Sequence, residues 1–496
     1  MSQADVGATT EHSSFVGTLT GCAQRELFLT FLITMLGLFI RNLTLPWIFL
    51  GRRYDTGRFT YWLKFVADVI FLCVPSLLAM TVLNEHLILL STIMIIISAV
   101  LLIFVLFEAA EQHHNHHQLS VILRQSWSRF VEEQHKPTQF VTYFRSLTMI
   151  LVTLAILAVD FPIFPRKYAK TEKFGHSMMD VGVAAFLFQA ALGSRMAKSP
   201  SSGRQLSHHS PRPWYLSSTF LLFALGAGRA VLLEVIGYPQ HVTEYGVHWN
   251  FFFTMAAIRI LSSSILPRCY PLVLSVIFGI CHQTMLKSTG LQAWILDESA
   301  NRRENLITAN AEGLTSLMGY LTIFYASLAI GEFMAKTSIR IKSWIRRCFQ
   351  LFALSLILFF IQIAAEKCVD PPCRRVVNAT YIFSQLTLMT FATGVCLSIQ
   401  MFNTVAWCSS FPQFSNGEDP YSVVSPCLSD SINRHSLLFF LVSNVLTGLV
   451  NLSVDAHRQP PHIAFPILLA YVTVCTGLMH FLEYRKIKFA TRPHAE

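Results

Sequence analysis

Charge is scarce in this sequence. Only 13% of its 496 residues are Asp, Glu, Lys or Arg, about half the share a soluble globular chain carries. The shortage runs the whole length, which excludes a soluble enzyme held by one anchor. Long polar stretches are also missing. The longest, 110–138, 197–213, 287–312 and 402–434, are too short to bury a core of their own. There is no glycine-rich phosphate loop, no HExxH zinc motif and no GxSxG elbow. No internal repeat and no pair of transporter-like halves is visible. No cleavable signal peptide is expected, because residues 1–24 are polar and the first apolar run is long enough to span a bilayer.

What the sequence has instead is apolar length. Hydrophobic residues make up 53% of the chain, in continuous runs rather than short alternating segments. Runs of about 20 apolar residues read as spanning helices, and helices satisfy their own backbone in lipid. The expected fold is an all-α polytopic membrane protein with about 13 transmembrane helices in one bundle. These lie near 26–50, 60–83, 86–109, 139–161, 176–196, 214–237, 247–266, 270–286, 313–335, 347–366, 376–401, 435–455 and 462–483. Residues 1–496 read as one transmembrane domain, with a polar tail over 1–24 and a basic tail over 484–496.

Basic residues outnumber acidic ones, 38 to 28, for a net charge of +10. They are dispersed over many short loops, so nucleic acid is not an expected partner. With the N-terminus lumenal and the C-terminus cytosolic, cytosolic loops hold about 21 Lys/Arg and lumenal ones about 12. Loop 161–175 runs against this bias with Arg166, Lys167, Lys170 and Lys173, which marks it as no ordinary loop. On the same lumenal side, Cys368 and Cys373 flank the turn CVDPPC and are a candidate disulfide. Asn378 opens a glycosylation sequon next to it.

Four stretches are candidates for chemistry. In AILAVDFPIFPRKYAKTEKFG, an apolar helix ends at Asp160 and is stopped by Pro162 and Pro165. An ionisable residue at membrane depth suggests function, although a salt bridge anchoring a helix end explains it equally well. Arg166 and Lys167 suit phosphates. Asp180 begins the next span. In HVTEYGVHWNFFFT, Glu244, His248 and Asn250 cluster beside interfacial aromatics and are a candidate headgroup cradle. In NRRENLITANAEGLTSLMGY, Asn310 and Glu312 precede a span, where helix capping is the simpler alternative. In SNVLTGLVNLSVDAH, Ser443, Asn444, Thr447, Asn451 and Asp455 share one helix face. Helix–helix hydrogen bonding competes there with a cavity wall. Further intramembrane charges, Asp68, Arg145, Arg229 and Arg259, suggest mutual pairing. The histidines of HHNHHQ (His113–His117) have no acidic or Cys partner nearby, and no metal site is expected.

Taken together, these stretches resemble the GPI-anchor inositol acyltransferase family, PIG-W in animals and the GPI-anchored wall transfer protein in fungi. The resemblance runs from about residue 140 to the C-terminus and is close to the animal branch. It is carried most specifically by AILAVDFPIFPRKYAKTE, then by TEYGVHWNFFFT, TANAEG and SNVLTGLVNLSVD. It implies an enzyme of the endoplasmic reticulum membrane that moves a fatty acyl group, usually palmitoyl, from palmitoyl-CoA to the inositol 2-hydroxyl of glucosaminyl-phosphatidylinositol. The resemblance places the acid–base pair on Asp160 and Lys170. No acyl-enzyme is implied, and no cofactor beyond acyl-CoA as co-substrate. On the residues alone two other classes stay open. One is a transporter or flippase for an anionic lipid. The other is a membrane-bound O-acyltransferase with a buried histidine base, for which His282, His435 and His480 are the candidates.

Overall fold

The computed structural model describes residues 17–18, 21–49, 58–112, 138–197, 218–236, 245–265, 270–297, 305–338, 340–410 and 427–490. Among these the chain is mostly helical, with one parallel pairing of two-residue strands, β1 (Gly17–Thr18) with β2 (Lys170–Thr171), and an isolated antiparallel bridge between Cys22 and His176. Among the described residues nine helices are long and apolar enough to cross a membrane: Gln24–Leu45, Phe59–Met80, Leu87–Phe107, Gln139–Ala158, Ala311–Ala335, Ile341–Cys368, Ala379–Thr404, Ser436–Ser453 and Pro461–Lys486. The four other expected spans, between residues 176 and 288, do not meet that test. Three of them are represented among the described residues by the shorter apolar helices Met179–Ser194, Thr219–Val231 and Phe251–Ser263.

The chain packs as two compact units. The first comprises residues 1–23, 166–337 and 352–390; the second comprises 24–165, 338–351 and 391–496.

In the second unit, helix α1 (Gln24–Phe49) packs on α4 (Leu87–Gln112). Ile33, Leu36 and Ile40 of α1 meet Ala79, Leu87 and Met94 in a buried cluster. Between them run α2 (Arg58–Asp68), a π-helical segment Val69–Cys73, and α3 (Val74–Met80). Pro75 cannot donate to the preceding turn, which accounts for the wider π turn just before it. Gly37 lets α1 approach that segment closely, since a Cβ there would lie 2.1 Å from the Phe71 carbonyl oxygen. Arg41 and Asp68 form a fully buried ion pair at 2.6 Å, and the Leu428 N–H donates to the other Asp68 oxygen at 2.7 Å. Asp68 thus pairs with a cation absent from the expected set. The outward face of α4 carries Ile88, Ile93, Ile96, Val100, Ile103 and Phe104, all exposed, as a lipid-facing helix requires.

The first unit is built on α6 (Gly182–Ala197), α9 (Pro271–Ser288) and α12 (Ala311–Ala335), with α6 and α9 both packed on α12. Beside them α7 (Ser218–Ile236) packs on α8 (Phe251–Ile260). Short helices α10 (Leu291–Leu296) and α11 (Leu306–Ala309) lie between α9 and α12 in sequence. Leu286, Ile295, Ala311, Cys373 and Val376 form its local core. Helices α13 (Ile341–Cys368) and α14 (Ala379–Ser410) contribute residues to both units.

Candidate functional site

Helix α5 (Gln139–Ala158) sits in the second unit and ends as its sequence dictates. The Asp160 N–H donates to the Leu157 carbonyl at 3.1 Å, tightening the last turn ahead of Pro162. Asp160 is only 7% exposed. Its Oδ2 accepts a 2.8 Å hydrogen bond from Asn451 Nδ2. Asn451 lies on α16 (Ser436–Ser453), which packs on α5. The polar stripe of that helix therefore meets Asp160 at one position. The two expected site residues of the stretch are not at this carboxylate. Asn444 is exposed and donates to the Phe440 carbonyl of its own helix. Asp455 lies beyond the helix end, exposed, and faces Arg458 at 3.5 Å.

Lys170 belongs to the first unit, within the segment 166–180. A 3-10 turn over Arg166–Tyr168 carries Arg166 and Lys167, both half-buried, and buries Tyr168. Lys170 and Thr171 follow as β2. The Thr171 N–H and hydroxyl both donate to Asp180 Oδ2, at 3.2 and 2.5 Å. Lys170 is close enough to Asp180 to act on it electrostatically. Asp180 is therefore an internal anchor of the segment that carries Lys170. Its other oxygen faces Arg374 Nε at 2.9 Å, with both side chains buried. Tyr381 donates its hydroxyl to the Asp180 carbonyl at 2.6 Å.

Arg374 was invisible to the sequence reading, and so was its neighbour. Arg375 Nη2 donates to Glu312 Oε1 and to the Ile295 carbonyl, each at 3.0 Å, and its Nη1 donates to the Glu172 carbonyl at 3.3 Å. Two adjacent arginines thus meet two buried carboxylates of this unit. A buried carboxylate requires a counter-charge, and that requirement was the available clue. Asn378 folds the turn that presents them. Its Oδ1 accepts from the Cys373 and Tyr381 N–H groups at 3.0 Å, and its Nδ2 donates to the Pro371 carbonyl at 2.8 Å. The Asn378 amide is therefore used internally and fully buried, which leaves no room for a glycan. Cys368 and Cys373 are both free thiols. Burial pushes the Cys373 thiol up to about 11, so it is unreactive.

The remaining candidates form a second polar knot in the same unit. Asn310 Oδ1 accepts from the backbone N–H groups of His248 and Trp249, both at 2.9 Å. Gly246, at φ +107°, makes this approach possible: a Cβ would lie 2.5 Å from the Ala309 carbonyl oxygen. Asn250 caps α8 by accepting from Phe252 and Phe253, and its Nδ2 donates to the Gly226 carbonyl at 2.9 Å. The asparagines of this knot are thus committed to folding two motifs together. The His248 side chain is exposed beside them. Glu244 and the His113–His117 run lie outside the described residues. Among the described residues no cluster of His, Cys, Asp and Glu has the makings of a metal site.

The three candidate histidine bases are also engaged. His282 Nε2 contacts the Val376 and Val377 carbonyls at 2.9 and 3.2 Å. His480 bonds Ser431 through Nδ1 at 3.2 Å and stacks on Tyr61 and Phe65. His435 faces Glu483 at 3.6 Å.

The comparisons with known proteins agree with this distribution of motifs. The family model described as GWT1 matches residues 8–482. The mouse glucosaminyl-phosphatidylinositol-acyltransferase PIGW is 29% identical, over 96% of this chain and 98% of its own. The human protein of that name is 31% identical, over 74% and 78%. The Candida albicans GPI-anchored wall transfer protein 1 is 34% identical, over 70% and 75%. The match extends well upstream of residue 140, where the motifs begin, and the chain belongs to the GWT1 family.

Proposed function

We propose that this chain is a glucosaminyl-phosphatidylinositol acyltransferase, acylating inositol during GPI-anchor biosynthesis. The reading rests on family membership across nearly the whole chain. One structural observation carries its chemistry: Asp160 is a buried carboxylate at the proline-stopped end of α5 that accepts a hydrogen bond from the Asn451 amide. Such a group is suited to take a proton. In the proposed reaction palmitoyl-CoA is the donor and Asp160 takes the proton of the inositol 2-hydroxyl. The alkoxide oxygen bonds to the thioester carbonyl carbon, the C–S bond breaks, and the proton passes to the departing thiolate. Lys170 orients the hydroxyl or stabilises the developing oxyanion. Arg166 and Lys167 take phosphate oxygens. We assign the enzyme to the endoplasmic reticulum, with a lumenal N-terminus and a cytosolic C-terminus. Thirteen crossings, counting the four shorter helices, remain our reading of the span number. The exposed apolar residues Leu221, Phe223, Leu272, Val276 and Ile280 support it.

The test is to incubate the purified chain with labelled palmitoyl-CoA and glucosaminyl-phosphatidylinositol. An acylated lipid formed only when both are present is expected, with loss of product in Asp160→Asn and Lys170→Met at unchanged thermal stability. Normal acylation by either variant removes that residue from the chemistry. Lipid movement without acyl transfer favours the transporter instead.

A further inference from the structure

Lys170 lies in a segment with little regular structure of its own. Between Arg166 and Asp180 there is one 3-10 turn, a two-residue strand and the start of a second 3-10 turn. A lysine ammonium sits on a flexible four-carbon stem, so its placement depends on how firmly the backbone beneath it is held. One side is held by the 371–378 turn. The Gly175 N–H donates to the Pro372 carbonyl at 2.9 Å, and Arg375 donates to the Glu172 carbonyl.

The other side is held by residues expected to be a featureless polar tail. Gly17 and Thr18 pair in register with Lys170 and Thr171. The Cys22 N–H then donates to the His176 carbonyl at 2.7 Å. Gly21 makes this last contact possible. It adopts φ +66°, and a Cβ there would lie 2.3 Å from the His176 carbonyl oxygen and 3.1 Å from its carbon and nitrogen. The obstacle is backbone, so no side chain can rotate away to relieve it. His176 is itself fixed, its Nδ1 lying 3.1 Å from the Ser384 hydroxyl.

We propose that Gly17–Thr18 and Gly21–Cys22 form a strap that positions Lys170 for acyl transfer, with Gly21 as the positioning residue. The strap touches backbone at both ends of the 170–176 segment and sets its register. This rests on the reading of Lys170 as a catalytic group. The strap needs no contact with either substrate, so its loss acts on turnover rather than on binding. A displacement of about 1 Å at a catalytic group costs on the order of 100-fold in rate.

The experiment uses the full chain in lipid nanodiscs and compares Gly21→Val, Thr18→Pro and Lys170→Met. Thr18→Pro removes one N–H from the strand pairing without placing bulk against His176. Acyl transfer is measured with both substrates varied, and backbone hydrogen exchange is followed over 166–180 and, as a reference, 311–335. The expected result for Gly21→Val is a kcat lower by about 100-fold, both KM values within about three-fold of wild type, and faster exchange confined to 166–180. Thr18→Pro should move the same quantities in the same direction, and it decides the matter if Gly21→Val does not fold. A folded strap variant with faster exchange and wild-type kcat overturns the strap, as does a loss confined to KM. Full activity in Lys170→Met overturns the reading of Lys170 instead, so the two failures are distinguishable.

Discussion

Arg374→Met leaves Asp180 as a carboxylate buried without its cation. The pair it breaks has an Nε–Oδ1 separation of 2.9 Å between two buried side chains. Removing one partner of such a pair costs about 3–5 kcal/mol, because the remaining charge stays desolvated. The two hydrogen bonds from Thr171 persist and soften the loss. The converse change, Asp180→Asn, should cost less. Arg374 then keeps the Tyr245 ring, 5.6 Å from its guanidinium carbon, a contact worth about 0.5–2 kcal/mol. The double variant carries neither charge and should be more stable than Arg374→Met alone, with a coupling energy of roughly 2–3 kcal/mol. The assay is the thermal midpoint of the purified protein in lipid nanodiscs. Arg374→Met is expected to lower it by roughly 10 °C, using 2–4 °C per kcal/mol for a unit of this size, and adding Asp180→Asn should recover about half. Single losses that simply add in the double variant would refute the reasoning, since independent sites add and a shared buried pair does not.

Two further outcomes follow from groups already placed. Asn451→Leu deletes the 2.8 Å hydrogen bond to Asp160; a bond to a charged group contributes about 1.5–3 kcal/mol to stability, so the thermal midpoint should fall, acyl transfer per folded molecule should fall about 10- to 100-fold, and a wild-type rate removes Asn451 from the site. His176 titrates low, with burial pushing its imidazole down to about 4. Its neutral form is favoured by folding, so this contribution is fully present above the ordinary value of about 6.5 and is lost as pH falls toward 4. The thermal midpoint should therefore drop between pH 7 and pH 4.5, and less steeply in His176→Gln; an identical slope in the variant excludes His176 as the cause.

The sequence showed some of this site and hid the rest for identifiable reasons. Asp160 was legible because three local signals coincide there: a long apolar run, a carboxylate and two prolines. Asp180 and Glu312 were legible as carboxylates near membrane depth. Their partners were not, since Arg374 lies 194 positions from Asp180 and nothing in either stretch points to the other. The stripe on α16 shows what periodicity leaves undetermined. It correctly puts Asn444, Thr447 and Asn451 near one face, but it does not say which of them is covered. Asn444 is exposed, Thr447 lies 3.1 Å from the Tyr471 hydroxyl, and only Asn451 reaches Asp160. The strap had no hydrophobic signal at all, because its contacts are made by backbone atoms. The glycine at position 21 was the one trace it left in the sequence.

The positive charge on the proposed lumenal side looks different once ion pairs are taken into account. The positive-inside bias reflects cations free to interact with headgroups and the translocation machinery. Arg374 and Arg375 are committed to buried carboxylates, and Lys287 Nζ lies 2.6 Å from Asp370. Setting aside the paired cations on both sides, these three and Arg458 on one and Lys336 and Arg434 on the other, leaves about eight lumenal cations against about 19. At the start of α13, Arg340, Lys342 and Arg346 are exposed and hold no carboxylate among the described residues. They are followed by the exposed Ile345 and Phe349 of a lipid-facing helix, the arrangement expected of a cytosolic membrane boundary. Lys170 in loop 161–175 lies close enough to Asp180 to act on it electrostatically, and Thr171 beside it donates to the same carboxylate, so this part of the loop is folded onto a carboxylate rather than left as a free basic tether.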